Sequence, residues 1–592
     1  MERRLLLAIL LTFVVLTAYQ WMLPKPAPLP PQSGGAASPG GATSAGSAPA
    51  AAAPTAPAVQ LPPVETVVAD AAEKTVTVDN GVVRAVFSNR GGTLVSWQLI
   101  AAYPDRRGLR YQDAAGHPVD LVPHNLPADA PKPFALKLDD AAKTARVNSA
   151  LFSSTATADG KVDARTSPAT VTFEYQDAAG LHVRKQFRLD PNSYLVSLSI
   201  TATDGERAIN PVIQWGPGLG DVAAIPAGGR NVRRAEGIHS TGGKVTRPAA
   251  AALTTTPHHE GTFDFAGVDT HYFISVAVKP GNAALDYRVL TVQTPNVTPP
   301  VSRDYIAYDI KYAQLPASAR FYVGPKELGA LQRVDPLLVP SIWFGMFSFL
   351  SVPLLAALNW INGFVGNYGW SILVLTVLIN AVMFPLRHKS FVSMRKMQEI
   401  QPQVKMIQDR YAKLKMADPA RQKMNTELMD LYRAKGVNPA SGCVPMLLTF
   451  PVLLAFYGLL SEAVELRGAP FMLWIHDLSA ADPYYVTPIL MGLSQLAQQR
   501  MAPAQVDPAQ QKMMMIMPVV FTFLFITSPS GLALYWLASN VLLIGQQVLT
   551  NYIIGPPDVR VPRPPAERRL KKVGEGKTDA AATDNGTAME QK

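Results

Sequence analysis

Residues Leu378–Ser390 read LINAVMFPLRHKS, a hydrophobic run with an asparagine in its middle, a break at Pro385 and a cluster of bases at its end. The apolar segment runs from Trp370 to Leu386, close to the ~20 residues that cross a bilayer. The charges beyond it fix its direction. From Arg387 to Lys435 there are twelve basic and five acidic residues, a net +7. Loops rich in Lys and Arg stay in the cytoplasm, so this span enters from outside and ends at a cytoplasmic insert.

Other apolar runs come at 442–462, 484–501, 511–527 and 530–554, the third of them short. The acidic loop 463–483 has Arg467 as its one base and faces outward, while Arg500, Lys512 and the tail sequence RRLKK face inward. The run SIWFGMFSFLSVPLLAALNWI would invert this order if it crossed. It is therefore expected along the outer interface as an amphipathic helix over 338–364. At the amino end, RLLLAILLTFVVLTAYQWML follows Arg3 and lacks a small-x-small cleavage site, which predicts an uncleaved anchor over 1–23. With the second span at 366–386, six spans and two cytoplasmic termini result.

The segments outside the membrane differ in kind. Residues 24–63 are Pro, Ala, Gly and Ser with almost no charge, a disordered tether. Over 64–335 the hydrophobic period is two, as in SYLVSLSIT, where Tyr194, Val196, Leu198 and Ile200 share a face. Asp79-Asn80-Gly81 and Asp190-Pro191-Asn192 supply turns. This predicts a large antiparallel β-sandwich outside the membrane, coupled only loosely to the rest through its tether. The insert 388–436 is expected to be an antiparallel helical hairpin: Met397, Ile400, Val404, Ile407, Tyr411 and Leu414 keep a three-four spacing, and Met424, Leu428 and Leu431 resume it after Ala417–Ala420. Its bases Arg395, Lys396, Lys405, Arg410, Lys413 and Lys415 make either a solvated coiled-coil surface or a docking arm for anionic lipid, ribosome or nascent chain. The tail 555–592 is basic and expected to be disordered.

Composition excludes several functions. Cys443 is the only cysteine, so there is no internal disulfide and no cysteine metal cage. His258, His259 and Glu260 lack a second ligand cluster and are expected on a solvated loop. The net charge of +10 sits beside apolar spans and at the termini, a matter of topology and not of DNA binding. No carboxylate pair or nucleophile motif marks an enzyme, and no cofactor is implied. Inside the spans, Thr376 and Asn380 lie one helical turn apart, Thr449 precedes Pro451, and Tyr535, Ser539, Asn540, Gln546 and Gln547 mark the last run. Such residues either bond neighbouring helices or line a polar surface. No Asp, Glu, Lys or Arg lies deep in any span, so a proton relay has no machinery. A transporter or channel with an extracytoplasmic ligand-binding domain is the alternative, but the core shows no internal repeat.

The segments NPASGCVPMLLTFPVLLAFYGLL, VELRGAPFMLWIHDLSAADPYYVTPILMG, DPAQQKMMMIMPVVFTF and PSGLALYWLASNVLLIGQQ resemble the core signatures of the YidC family of bacterial membrane protein insertases, related to the mitochondrial oxidase-assembly and chloroplast albino proteins. RGGTLVSWQL, FYVGPKELG and FVGNYGWSI resemble its Gram-negative branch. The resemblance implies a β-supersandwich in the periplasm and a five-helix core in the inner membrane. The core would enclose a hydrophilic groove open to cytoplasm and lipid, with Thr376, Thr449 and Trp536 on its wall and the hairpin as its cytoplasmic arm. It implies insertion of nascent membrane proteins, without cofactor or nucleotide hydrolysis, alone or beside the Sec translocon. One position departs: where the family commonly has a groove arginine, this chain has Asn380, with Arg387 seven residues on at the groove mouth.

Overall fold

The computed structural model describes residues 65–103, 108–113, 115–124, 130–155, 159–221, 234–293, 302–411, 420–436, 444–501 and 508–554. The expected anchor, tether and tail, with Cys443, Lys413 and Lys415, lie outside the described residues. The described residues form two compact units. One runs to Ile372 and adds Leu454–Tyr485 and Ile526–Leu534; the other comprises Leu373–Leu453, Val486–Phe525 and the chain from Tyr535.

The first unit is dominated by β-strands, with two short helices, α1 (Ala141–Ser149) and α2 (Ala250–Leu253), between them in the chain. Strand Leu181–Leu189 alternates buried and more exposed positions along its whole length, and pairs antiparallel with Ala169–Asp177 on one side and Leu195–Asp204 on the other. From Thr66–Val68 these strands continue through Ala319–Pro325, Phe273–Gln293 and His258–Asp269 to Glu236–Thr241 and Lys244–Thr246 in one large sheet. A four-stranded sheet, in the order Thr93–Leu99, Val83–Ser88, Thr75–Asp79, Lys161–Asp163, packs against it. Aromatic rings fill the space between: Phe87 of the small sheet lies 4.6 Å from Phe187 of the large one. Trp97 joins the two sheets by donating from Nε1 to the Val323 carbonyl at 2.9 Å.

Phe134 sits at the centre of this core, with ring centroids 5.3 Å from Phe187, 5.4 Å from Trp215 and 5.2 Å from Phe321. Its side chain is fully buried. Phe134→Ala is therefore expected to destabilise the β domain by about 3–5 kcal/mol, read from the shift in its urea midpoint at unchanged slope. The turn at Asp79-Asn80-Gly81 is held by more than backbone preference. Asn80 is buried, donates to the Asp190 and Ser193 carbonyls at 3.0 and 2.7 Å, and accepts from the Val83 amide at 2.8 Å. His258 and His259 begin a strand and do not lie on a loop. His258 bonds Asp286 of the neighbouring strand at 2.7 Å and Glu260 at 3.0 Å.

The expectation of a loosely coupled β domain is corrected in this unit. A tether constrains only one end of a domain, and here the other end leads through α3 (Leu328–Val334) and a 3-10 turn (Pro336–Ser341) without a gap. Arg247 grips that turn, donating to the Pro340 and Ser341 carbonyls at 3.2 and 2.8 Å. Beyond it, α4 (Ser348–Val365) buries Ser351, Leu355, Leu358 and Ile361 along one stripe and exposes Phe349, Trp360 and Phe364. The Ser351 hydroxyl donates to Ala455 of α8 (Val444–Glu462) at 3.0 Å. The acidic loop after α8 also touches the β domain. Tyr103 donates to the Gly468 carbonyl at 3.2 Å and Arg467 to the Gln112 carbonyl at 3.3 Å.

In the second unit the helix begun at Tyr368 does not stop at Leu386. As α5 (Tyr368–Glu399) it runs through Pro385 into the basic region. Two shorter helices, α6 (Gln401–Arg410) and α7 (Ala420–Ala434), then pack through Ile400, Val404, Met424 and Leu428. Among the described residues the unit also holds the first part of α8, up to Leu453, together with α9 (Val486–Met501), α10 (Pro508–Phe525) and α11 (Ser530–Ile554), the last of which starts in the first unit. Helices α9 and α10 meet at Gly492, where a Cβ would stand 1.9 Å from Thr522 Oγ1, the close approach that a small residue permits between membrane helices. Among the described residues, three segments are by length and composition sufficient to cross a membrane: Gly345–Val365, Tyr368–Met397 and Ser530–Ile553.

Candidate functional site

The polar residues of α5 form a connected ladder. A helix tilts its Cα–Cβ bonds toward its own amino end, so a long side chain reaches back over the preceding turns. Because α5 is continuous across Pro385, Arg387 lies two turns beyond Asn380 on the same face. Its Nη1 donates to Asn380 Oδ1. Asn380 Nδ2 in turn donates to the Thr376 carbonyl at 2.7 Å, so the amide has its oxygen free to hold the guanidinium. Thr376 is buried, while Asn380 and Arg387 are half-buried.

The facing helix is α11. Tyr535 lies within electrostatic reach of Arg387. One turn on, Ser539 keeps a buried hydroxyl beside Tyr535. Trp536 is occupied by apolar contacts, its ring 5.3 Å from Phe521 and 5.0 Å from Phe525. Asn540 turns to α9 instead, donating to Ser494 Oγ at 3.0 Å and the Met491 carbonyl at 3.3 Å. Gln547 donates to the carbonyl of Met501, the last residue of α9, and Gln546 to that of Phe384 at 3.4 Å. The side chain of Thr449 is outside the described residues, although its backbone belongs to α8.

Two residues that sequence reading treated as part of a plain span belong with this set. Gln495 and Gln499 each bury a side-chain oxygen without a partner among the described residues. They stand one turn apart on α9, and the spacing in MGLSQLAQQR carried that signal. The basic residues divide differently from the expectation. Arg395 is buried at the end of α5 and is not a hairpin surface residue, whereas Lys396, Lys405 and Arg410 are exposed. Arg410 pairs with Glu427 across the hairpin at 3.2 Å, and Tyr411 donates to the same carboxylate at 2.7 Å.

Residues 75–357 match the family described as the YidC periplasmic domain, and residues 360–556 match the family described as the 60Kd inner membrane protein. The membrane protein insertase YidC of Geotalea daltonii is 32% identical over 93% of this chain and 99% of its own. The chain belongs to the YidC family. Similarity to the insertase YidC of Thioalkalivibrio sulfidiphilus rises to 47% over 39% of this chain and 40% of that protein. A crystal structure of an active YidC insertase aligns at 18% identity over 83% of this chain and 95% of that chain, with a TM-score of 0.32. As a YidC protein the chain is an insertase of the inner membrane with a β-rich periplasmic domain, acting on membrane proteins within lipid.

Proposed function

We propose that this YidC protein inserts newly made membrane proteins through a polar groove between α5, α9 and α11, open to the cytoplasm and to lipid. The observation that carries the reading is the ladder Arg387–Asn380–Thr376, a charged side chain drawn inward along a membrane helix when it could extend toward water. Gln495 and Gln499 add buried polar atoms that water or a substrate segment can satisfy, and Ser539 adds a buried hydroxyl beside Tyr535. Tyr535, Thr449 and Trp536 belong to the same groove in this reading.

The physics of insertion needs no fuel molecule. An unsatisfied backbone group in hydrocarbon costs several kcal/mol, and a wet groove lets polar chain pass partway without that penalty. The apolar run Met513–Thr527 is short. At 1.5 Å per residue a helix over it measures roughly 22 Å against a hydrocarbon core of about 30 Å, a mismatch that thins the bilayer beside it. Apolar substrate segments then leave sideways into lipid.

The loop after α8 and the β domain touch within one unit, which supports placing both in the periplasm. With α4 along the outer interface, six spans and two cytoplasmic termini result, and the β domain corresponds to the supersandwich of the family. The α6–α7 hairpin is then the cytoplasmic arm, presenting Lys396, Lys405 and Arg410 to a ribosome, nascent chain or anionic lipid, and the Sec translocon is a partner for larger substrates.

Purified protein in proteoliposomes should accelerate insertion of a small phage-coat-like substrate in the absence of nucleotide, and a crosslinker at position 380 should capture a stalled nascent chain. Insertion without any crosslink from position 380 would remove the groove from the mechanism.

A further inference from the structure

We propose that Glu465 is the positioning residue that seats the periplasmic β domain on the loop after α8, and that the ionisation state of its carboxyl sets how firmly the domain is seated. The inference concerns the seam between that loop and the β domain and does not depend on the groove.

Glu465 sits in a 3-10 turn, Val464–Leu466, whose three residues are all buried; its own exposure is 5%. Its Oε1 accepts from the Leu328 amide at 3.1 Å. Leu328 opens α3, and the residue before it, Glu327, makes no side-chain cap to that helix. A carboxylate from a distant part of the chain thus takes up an amide that the helix leaves free. The same loop adds Tyr103 to Gly468 and Arg467 to Gln112 with its guanidinium 5.2 Å over the Phe273 ring, and the end of α8 adds His271 to the Ser461 carbonyl at 3.0 Å.

The charges around Glu465 do not balance it. On the β domain it faces Glu327, Tyr111 and Tyr322; from α4 it faces Asn359, and from the start of α5 Tyr368. Arg110, the nearby cation, is 3.3 Å from Glu327 and bound to that carboxylate. Among the described residues no cation pairs with Glu465, and its Oε2 has no hydrogen-bond partner. Burial first, then repulsion from Glu327, push its carboxyl up from 4.5 to about 7. The raised value belongs to the seated state, which therefore binds the proton more tightly than the released state does. Seating is fully supported below about 4.5 and weakens as the external pH rises through about 7.

The test is hydrogen exchange at Leu328–Val334 in the full-length chain in nanodiscs, from pH 5 to 9, after correction for the intrinsic rate. In the wild type the protection factor should fall by on the order of 10²-fold across that range. Glu465→Gln is neutral at every pH, and should keep high protection with a flat profile. Glu465→Ala removes the acceptor and should lower protection at both ends. A pH step retained in Glu465→Gln would assign the titration to the neighbouring His271–Glu462 pair, 3.7 Å apart, and overturn the proposal. Full protection in Glu465→Ala would overturn the positioning role.

Discussion

Arg387→Leu is expected to slow insertion of substrates with acidic translocated segments about tenfold, the equivalent of roughly 1.4 kcal/mol, with little effect on substrates whose translocated segments are neutral. The size comes from a single charge acting at several ångströms in a partly wet cavity, where unit charges interact by one to a few kcal/mol at an effective dielectric of about 20. Asn380→Leu should act through the same charge. Without the amide oxygen the guanidinium loses its anchor and extends toward the cytoplasm, where lysine and arginine heads go when nothing holds them. Its effect should be smaller than that of Arg387→Leu and carry the same substrate bias. The exchange Asn380→Arg with Arg387→Asn keeps one charge on the same helix face, two turns deeper, and should insert at close to the wild-type rate. Insertion rates in proteoliposomes, normalised to folded protein, decide the matter. Equal losses for acidic and neutral segments would make the ladder structural.

Removing residues 401–434 and joining the ends with a short Gly-Ser linker should abolish insertion, by more than tenfold, while leaving a membrane-integrated core. The separation is possible because α6 and α7 pack mainly on each other: Val404 against Met424 and Leu428, with Ile407, Leu431 and Tyr432 around them. The cut must fall after α5, whose last turns bury Ser390 and Arg395. A deletion starting at residue 390 would lose those as well and confuse loss of the arm with loss of folding. Core integrity is read from detergent-resistant thermal unfolding. Wild-type insertion by the deleted chain would remove the hairpin from substrate reception.

How much of this was legible depends on range. Period-two strands, turn residues and apolar runs are local, and the β-rich domain and the membrane helices could be read from them. The family could be read because its signatures are long and ordered. Pro385 misled, because the residue preceding a proline usually leaves the helical region, yet here the helix is held on both sides of it and continues. Glu465 counted in the sequence only as one acid that set the direction of a loop. Its burial depends on Leu328, 137 residues away, and no local pattern encodes such a meeting. Gln495 and Gln499 were visible as letters, but their unpartnered oxygens are a property of packing.

Three of the hydrogen bonds that tie α11 to its neighbours share a chemical trait, unlike the Asn540 bond to Ser494 Oγ. Gln546, Gln547 and Asn540 donate side-chain amides to main-chain carbonyls, of Phe384, Met501 and Met491 respectively. Main-chain acceptors are the same whatever side chain the partner position carries. The neighbouring helices can therefore drift in sequence over evolutionary time without breaking these ties, provided they stay helical, and the selective burden falls on three positions of a single helix.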